Sequence, residues 1–421
     1  MSLHSVGSDT KYILPASQDE VPEAFRSNRS AKPIPMVLQT VNIPSLSGSQ
    51  SLGGSSIIQV PCGASAGLMM NPYLRFSVQL TGASVAGQWT FKGGAAAASA
   101  ALNRVSTYLN SVQIDNIQSC WSVYDNLFLH STSNDYMTHD AKIMFNAGVA
   151  VTQAAAGNTA VLTFCLPLIG LLGSQQALPL YLINGTLQLQ CDWQSIINNI
   201  YQVPTGQTDP VFTGASFTNV QLVFDKLMPE QAFVDKVRSD MMQGHKYVMG
   251  YTNYATTFIT NVAGTPQTLN YGLNVSSLRG VVAYQYNQAN LSTSALAIPI
   301  ANNMRSFQLN VDGRLINTVV LDSVATPSLC FAELQRCFGR IFDASITDVS
   351  DNATYTTASF ATGVSCQRIN EGLAFSGSPC SIASVQTTSD AVGGVTTSMY
   401  FLFISDFQLL IDASGSVEII R

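Results

Sequence analysis

Apolar and polar residues alternate singly through much of this chain. Between positions 74 and 80, Leu74, Phe76, Val78 and Leu80 point one way, and Arg75, Ser77 and Gln79 point the other. After an Asn184-Gly185 turn, Leu187, Leu189, Cys191 and Trp193 alternate in the same way with Gln188, Gln190 and Asp192. Phe307, Leu309 and Val311 repeat the pattern, as do Phe407, Leu409 and Ile411. A period of two with one polar face predicts antiparallel sheets packed on a core from one side. The long Ser, Thr, Gly and Asn stretches between such segments predict a sandwich or barrel with elaborate loops.

Helical spacing is clear in three places. Trp121, Tyr124, Leu127 and Phe128 form one stripe. Phe233, Val234, Val237 and Met241 form a second, opened by Pro229 and closed at Gly244. Cys330, Phe331, Leu334, Cys337 and Phe338 form a third, with Pro327 near its start and Gly339 at its end. Strands and helices do not alternate regularly, so a parallel α/β sheet is not expected, and helix should occupy fewer than about one residue in five.

The chain says the same thing twice. A strand ending at 112–116 leads into the helix at 120–130, and a strand ending at 309–313 leads into the helix at 327–338. Their aspartates, Asp115 and Asp312, stand 197 residues apart. Val220-Gln-Leu-Val-Phe-Asp225 and Phe407-Gln-Leu-Leu-Ile-Asp412 stand 187 apart. Two similar offsets, each near half of the 421 residues, indicate a tandem duplication with the helix at 229–244 as connector.

Composition narrows the function. Hydrophobic residues make up 46%, enough for a sizeable core, while charged residues are only 10%, against roughly 25% in an average domain. Such a surface must be neutral and polar, or covered by other subunits, which favours an assembled structural protein over a free enzyme. A net charge of −6 argues against a broad nucleic-acid face. The local positive excess is Arg26, Arg29 and Lys32, read as a solvated arm that can contact phosphate or lipid head groups. Eight scattered cysteines without a C-x-x-C suit buried thiols better than disulfides or zinc. The first twenty residues lack a signal-peptide pattern, and the longest apolar run, about 14 residues with a proline, is too short to span a bilayer. A soluble or peripheral protein is expected.

Catalytic sets are not assembled. Gly63-Ala-Ser65-Ala-Gly67 fits G-x-S-x-G, but a nucleophile elbow needs a following helix, and Pro72 with the alternation beyond it predicts a strand. His130, His139 and His245 have no spacing that ties them to Ser65. Asp343, Asp348 and Asp351 lack the spacing and glycine of a calcium loop. No P-loop occurs. We therefore expect no catalytic, cofactor or metal site.

Three regions then resemble a family: Asn71–Leu80, Leu109–Leu127 and Phe164–Trp193. They are similar to the first barrel of the double jelly-roll major capsid proteins, the lineage of adenovirus hexon, tailless membrane-containing phages, virophages and the polinton-like and adintovirus groups. Gln243–Ile259, Ser277–Tyr286 and Met399–Ile420 resemble the second barrel. The resemblance covers roughly residues 35–421 and lies in the order of segments. It implies an all-β chain of two tandem eight-stranded antiparallel jelly rolls with a few short flanking helices. The expected division is an N-terminal arm at 1–35, barrels at 36–228 and 245–421, and the connecting helix at 229–244. It further implies a homotrimer forming a pseudo-hexagonal tile of an icosahedral virion. Neighbouring capsomers, penton and minor capsid proteins are the partners implied, with an inner membrane or genome reached through the arm and an unidentified host receptor outside. Loops at 131–160, 194–216, 285–300 and 343–395 are long enough to be exposed. A tandem jelly-roll lectin or adhesin is the alternative, followed by a β-sandwich hydrolase dependent on Ser65.

Overall fold

The computed structural model describes residues 36–93, 97–132, 136, 139–154, 157–174, 176–338, 354–367 and 376–421. The arm with Arg26, Arg29 and Lys32, and the aspartates Asp343, Asp348 and Asp351, lie outside the described residues. Strand accounts for 50% and helix for 17%.

Eight principal strands build the first half: β1 (Met36–Pro44), β2 (Ser55–Pro61), β3 (Leu68–Thr81), β4 (Leu102–Leu109), β5 (Val112–Gln118), β6 (Leu162–Pro167), β7 (Thr186–Trp193) and β8 (Gly214–Pro229). Antiparallel pairing orders them β1-β8-β3-β6 in one sheet and β2-β7-β4-β5 in the other. Two facing four-stranded sheets in this order are a jelly roll. The alternation read from the sequence supplies the filling. Trp193 of β7 stacks on Phe217 of β8 with ring centroids 4.3 Å apart and meets Phe76 of β3 at 5.4 Å. Its indole N–H, buried with it, donates to Ser56 Oγ at 2.9 Å.

The second half repeats the order with β9 (Tyr247–Asn261), β10 (Gln267–Asn287), β11 (Met304–Val311), β12 (Arg314–Leu315), β13 (Ala361–Ser365), β14 (Ser378–Ser389), β15 (Thr397–Ile411) and a terminal β16 (Val417–Ile420). One strand does double duty. The first part of β10 pairs with β14 and its last part with β15, so β10 fills the places of both β2 and β3. The register shifts between Gly272 and Val275 and again before Leu278, and Asn274 adopts φ 50 there. These irregularities bend one continuous strand from one sheet into the other. The two sheets are thus β9-β15-β10-β13 and β10-β14-β11-β12.

Three longer helices match the three stripes. α1 (Cys120–Ser131) follows β5, α2 (Gln231–Met242) joins the halves, and α3 (Pro327–Cys337) follows β12. Pro229 does not open α2; it is the last residue of β8, paired with Met36. The region 343–395 is not one long loop, because it contains β13 and β14. The repeat itself is offset differently from the sequence reading at one point. Asp312 opens the two-residue turn between β11 and β12, and the matching turn of the first half is Asn110-Ser111, between β4 and β5. All four turn residues have positive φ (Asn110 50, Ser111 67, Asp312 47, Gly313 79), as a tight hairpin requires. Asp115 lies one strand further on than the true counterpart of Asp312.

Candidate functional site

The fold places each residue whose type suggests chemistry. Ser65 is exposed in the turn between β2 and β3, and β3 follows within three residues, so no helix N-terminus stands behind it. His130 is buried at the end of α1, His139 precedes a short helix at Asp140–Phe145, and His245 is exposed just past α2. His130 and His139 thus lie in the β5–β6 connection, at the opposite end of the barrel from the β2–β3 turn that carries Ser65. Among the described residues no three His, Cys, Asp or Glu gather to hold a metal ion. No disulfide joins any of the eight cysteines, six of which are buried. Burial pushes Cys62, Cys330 and Cys380 up to about 11, away from reactive thiolate.

What the fold does create is a set of surfaces. The connections β1–β2, β3–β4, β5–β6 and β7–β8 emerge at one end of the first barrel; β2–β3, β4–β5 and β6–β7 emerge at the other. The second barrel points the same way, because equivalent ends touch. At the first end, Lys92 from the β3–β4 connection buries its ammonium among four carbonyls. These are Asn198 at 2.9 Å, Asn290 at 3.2 Å, Leu291 at 2.7 Å and Thr293 at 3.1 Å. Three of the four belong to the β10–β11 connection, so one side chain ties the two barrels' loops together. Burial lowers the Lys92 ammonium to about 8. Sequence inspection gives no sign of this role, since Lys92 stands as a lone cation before Gly93-Gly94. At the other end, the Asn184 N–H donates to Gly415 O at 3.1 Å, and Arg238 of α2 donates to Tyr181 O at 3.0 Å.

Between the ends, β5 of the first barrel lies beside β9 of the second. Thr256 Oγ1 donates to Gln118 O at 3.1 Å, and Tyr251 Oη to Ile114 O at 3.5 Å. α1 then lies on the second barrel's strands: Trp121 meets Tyr286 at 4.9 Å, and Asn126 Nδ2 donates to Tyr286 Oη at 2.8 Å. A carboxyl is buried in this seam. Asp115 accepts the Leu171 N–H at 2.7 Å through one oxygen, while its other oxygen has no hydrogen bond. Burial raises it from 3.8 to about 7, against the lowering effect of the Leu171 bond. Gly170, at φ 76, is required beside it, because a Cβ there would lie 2.7 Å from Asp115 Oδ2. The two barrels are therefore welded side by side along their full height.

No protein-family profile and no curated protein matches the sequence. Solved structures do match. The Faustovirus major capsid protein superposes with TM-score 0.62 at 8% identity over 96% of this chain and 97% of that one. A chain of the PBCV-1 virus capsid gives 0.61 at 13% over 93% and 98%. The mavirus major capsid protein gives 0.51 at 10% over 95% and 94%. The fold is that of the double jelly-roll capsid proteins, along essentially the whole of their length.

Proposed function

We propose that this chain is a major capsid protein whose homotrimer forms a pseudo-hexagonal tile of an icosahedral viral shell, so that its place is the virion. The observation that carries the reading is the side-by-side weld of two topologically equivalent barrels through unlike edges, β5 of one against β9 of the next. A contact between unlike faces repeats until it closes or grows without end. Two wedges per chain and six wedges per hexagon make three copies the closing number. The weld keeps both loop-bearing ends on one side, which gives a tile an outer and an inner face. The division into an arm at 1–35, barrels at 36–228 and 245–421 and a connector at 229–244 belongs to this proposal. So do Arg26, Arg29 and Lys32 as inner-face contacts to a membrane or genome, and penton and minor proteins as partners. The chain then acts by assembly and carries out no chemical reaction. A chain with only 10% charged residues suits burial against neighbours.

Light scattering on the purified protein tests the reading. The expected mass is about 135 kDa, three times 45.0 kDa, unchanged by dilution, since obligate interfaces commonly bury roughly 2,000–5,000 Å². A concentration-independent species of 45.0 kDa would overturn it in favour of a tandem jelly-roll binding protein.

A further inference from the structure

The weld inside the chain uses one edge of each barrel and, among the described residues, leaves the counterpart edges uncovered. The first barrel spends β5 and keeps its β1 side free; the second spends β9 and keeps the β12 side free. Register fixes which residues correspond. Val41 pairs with Phe224 and Tyr247 pairs with Ile411, so Val41 corresponds to Tyr247. Ser45 then corresponds to Tyr251, and the register slips by two before Gln50 meets Phe217, so the count ends at Ser45. On the other side, the matching turns at Asn110 and Asp312 align Thr107 with Leu309. Thr107 pairs with Asp115, past the bulge at Ile114, and Ile316 donates to Leu309 O, so Asp115 corresponds to Ile316 and Gln118 to Val319.

Resting on the trimer reading above, we infer that segment 314–324 of one copy docks on segment 45–51 of the next. Ile316 then faces Ser45, as Asp115 faces Tyr251 within the chain.

Two features of the free edges fit this occupant. The ladder between β11 and β12 is only two residue pairs long. After Ile316 donates to Leu309 O, the Asn317 side chain takes over: its Oδ1 accepts the Leu309 N–H at 2.8 Å and its Nδ2 donates to Phe307 O at 2.9 Å. One side chain thus satisfies the strand edge, and the backbone beyond it peels away from its own barrel. The peeled segment carries apolar side chains into the open, with Val319 59% and Val320 41% exposed, and Leu315 of β12 beside it is 45% exposed. On the opposite edge, Leu46 is 69% exposed between Ser45 and Ser47. Apolar surface therefore stands uncovered on both halves of the missing contact, and a second copy of the chain supplies each half with its complement.

The experiment is a pair of interface variants with a cross-link. Val319→Asp with Val320→Asp, and separately Leu46→Asp, should reduce trimer at equal concentration by at least roughly tenfold, the change that 1.4 kcal/mol brings. Val392→Asp, on an exposed loop residue with no place in the contact, should leave the trimer intact. Ser45→Cys combined with Ile316→Cys should oxidise to dimers and trimers on a non-reducing gel, a result that does not depend on the charged variants folding. A wild-type trimer that survives both Asp variants and gives no inter-chain cross-link overturns this contact while leaving the capsid reading standing. A monomeric wild type overturns both.

Discussion

Replacing Asp115 by asparagine removes an ionisable group from the seam while keeping its shape. The amide oxygen still accepts the Leu171 N–H, and the amide nitrogen occupies the place of the unbonded oxygen. In the native chain the carboxyl titrates near 7, against 3.8 for the ordinary group. Between those values the folded state holds a proton that the unfolded state has released, so stability falls as pH rises through the window and levels off above it. A tenfold change in proton affinity is worth about 1.36 kcal/mol. The climb from pH 5 to pH 7 therefore costs roughly 2–3 kcal/mol, and the whole window about 4 kcal/mol. The neighbours leave this interval clear. Burial holds Tyr251, which faces Asp115 from β9, far above it. Asp192, Asp312, Asp390 and Asp412 are all lowered, Asp192 and Asp412 chiefly by side-chain hydrogen bonds opposing burial, so their contributions are lost only on further acidification. For a unit the size of one barrel, the pH 5 to 7 loss is a drop in melting temperature of about 5–11 °C. The assay is differential scanning calorimetry from pH 5 to 8 on native protein and Asp115→Asn. The variant should be flat where the native protein slopes downward. Equal slopes, or a native protein that gains stability towards pH 7, would refute the burial argument.

Other outcomes follow from the same structure. Lys92→Met leaves four loop carbonyls without their donor, each unpaired buried group costing about 1–3 kcal/mol; proteolysis should begin to nick the chain at 288–294. Phe76→Ala opens a hole beside Trp193 in the first barrel and should cost about 3–5 kcal/mol by chemical denaturation. Ser65→Ala, in an exposed turn, should shift stability by no more than about 0.5 kcal/mol and leave assembly unaltered. Brief treatment of the native protein with iodoacetamide should modify at most Cys62 and Cys165, the two partly exposed thiols, whereas denaturant should open all eight to mass-spectrometric detection.

Much of the architecture was legible because amphipathic strands advertise themselves. Leu74 to Leu80, Leu187 to Trp193 and Phe307 to Val311 all bury the apolar set that alternation assigns. β13 and β14 were hidden for a physical reason. Their inward residues include Ala361, Gly363, Ser378, Ala383, Thr387 and Ser389, which give little contrast with an outward face of Ser, Thr and Gln. The seam was hidden differently. A bulge opposite Thr107 and Tyr108 inserts Ile114 into β5, so Ile114 and Asp115 are both buried in succession. A strict period of two would have sent that carboxyl to solvent. Lys92 could not be found at all, because its four acceptors are backbone carbonyls supplied from two distant connections.

Each barrel is closed by its own last long strand, and this sets a timetable. β1 must wait for β8, ending at Pro229, and β9 must wait for β15, ending at Ile411. The 182 residues between those ends take about 10–40 s to synthesise at roughly 5–20 residues per second. For that interval a finished first barrel carries β5 and the Trp121 face of α1 with no Tyr251, Thr256 or Tyr286 to cover them. Chains growing close together on one message hold several such half-built edges within reach of one another. A second barrel emerging from one ribosome then meets rival first barrels as well as its own, and only the short tether through α2 favours the correct one. The joint that holds the two barrels together is thus the point at which crowded synthesis tangles neighbouring chains, and slowing translation after Pro229 lengthens the exposure.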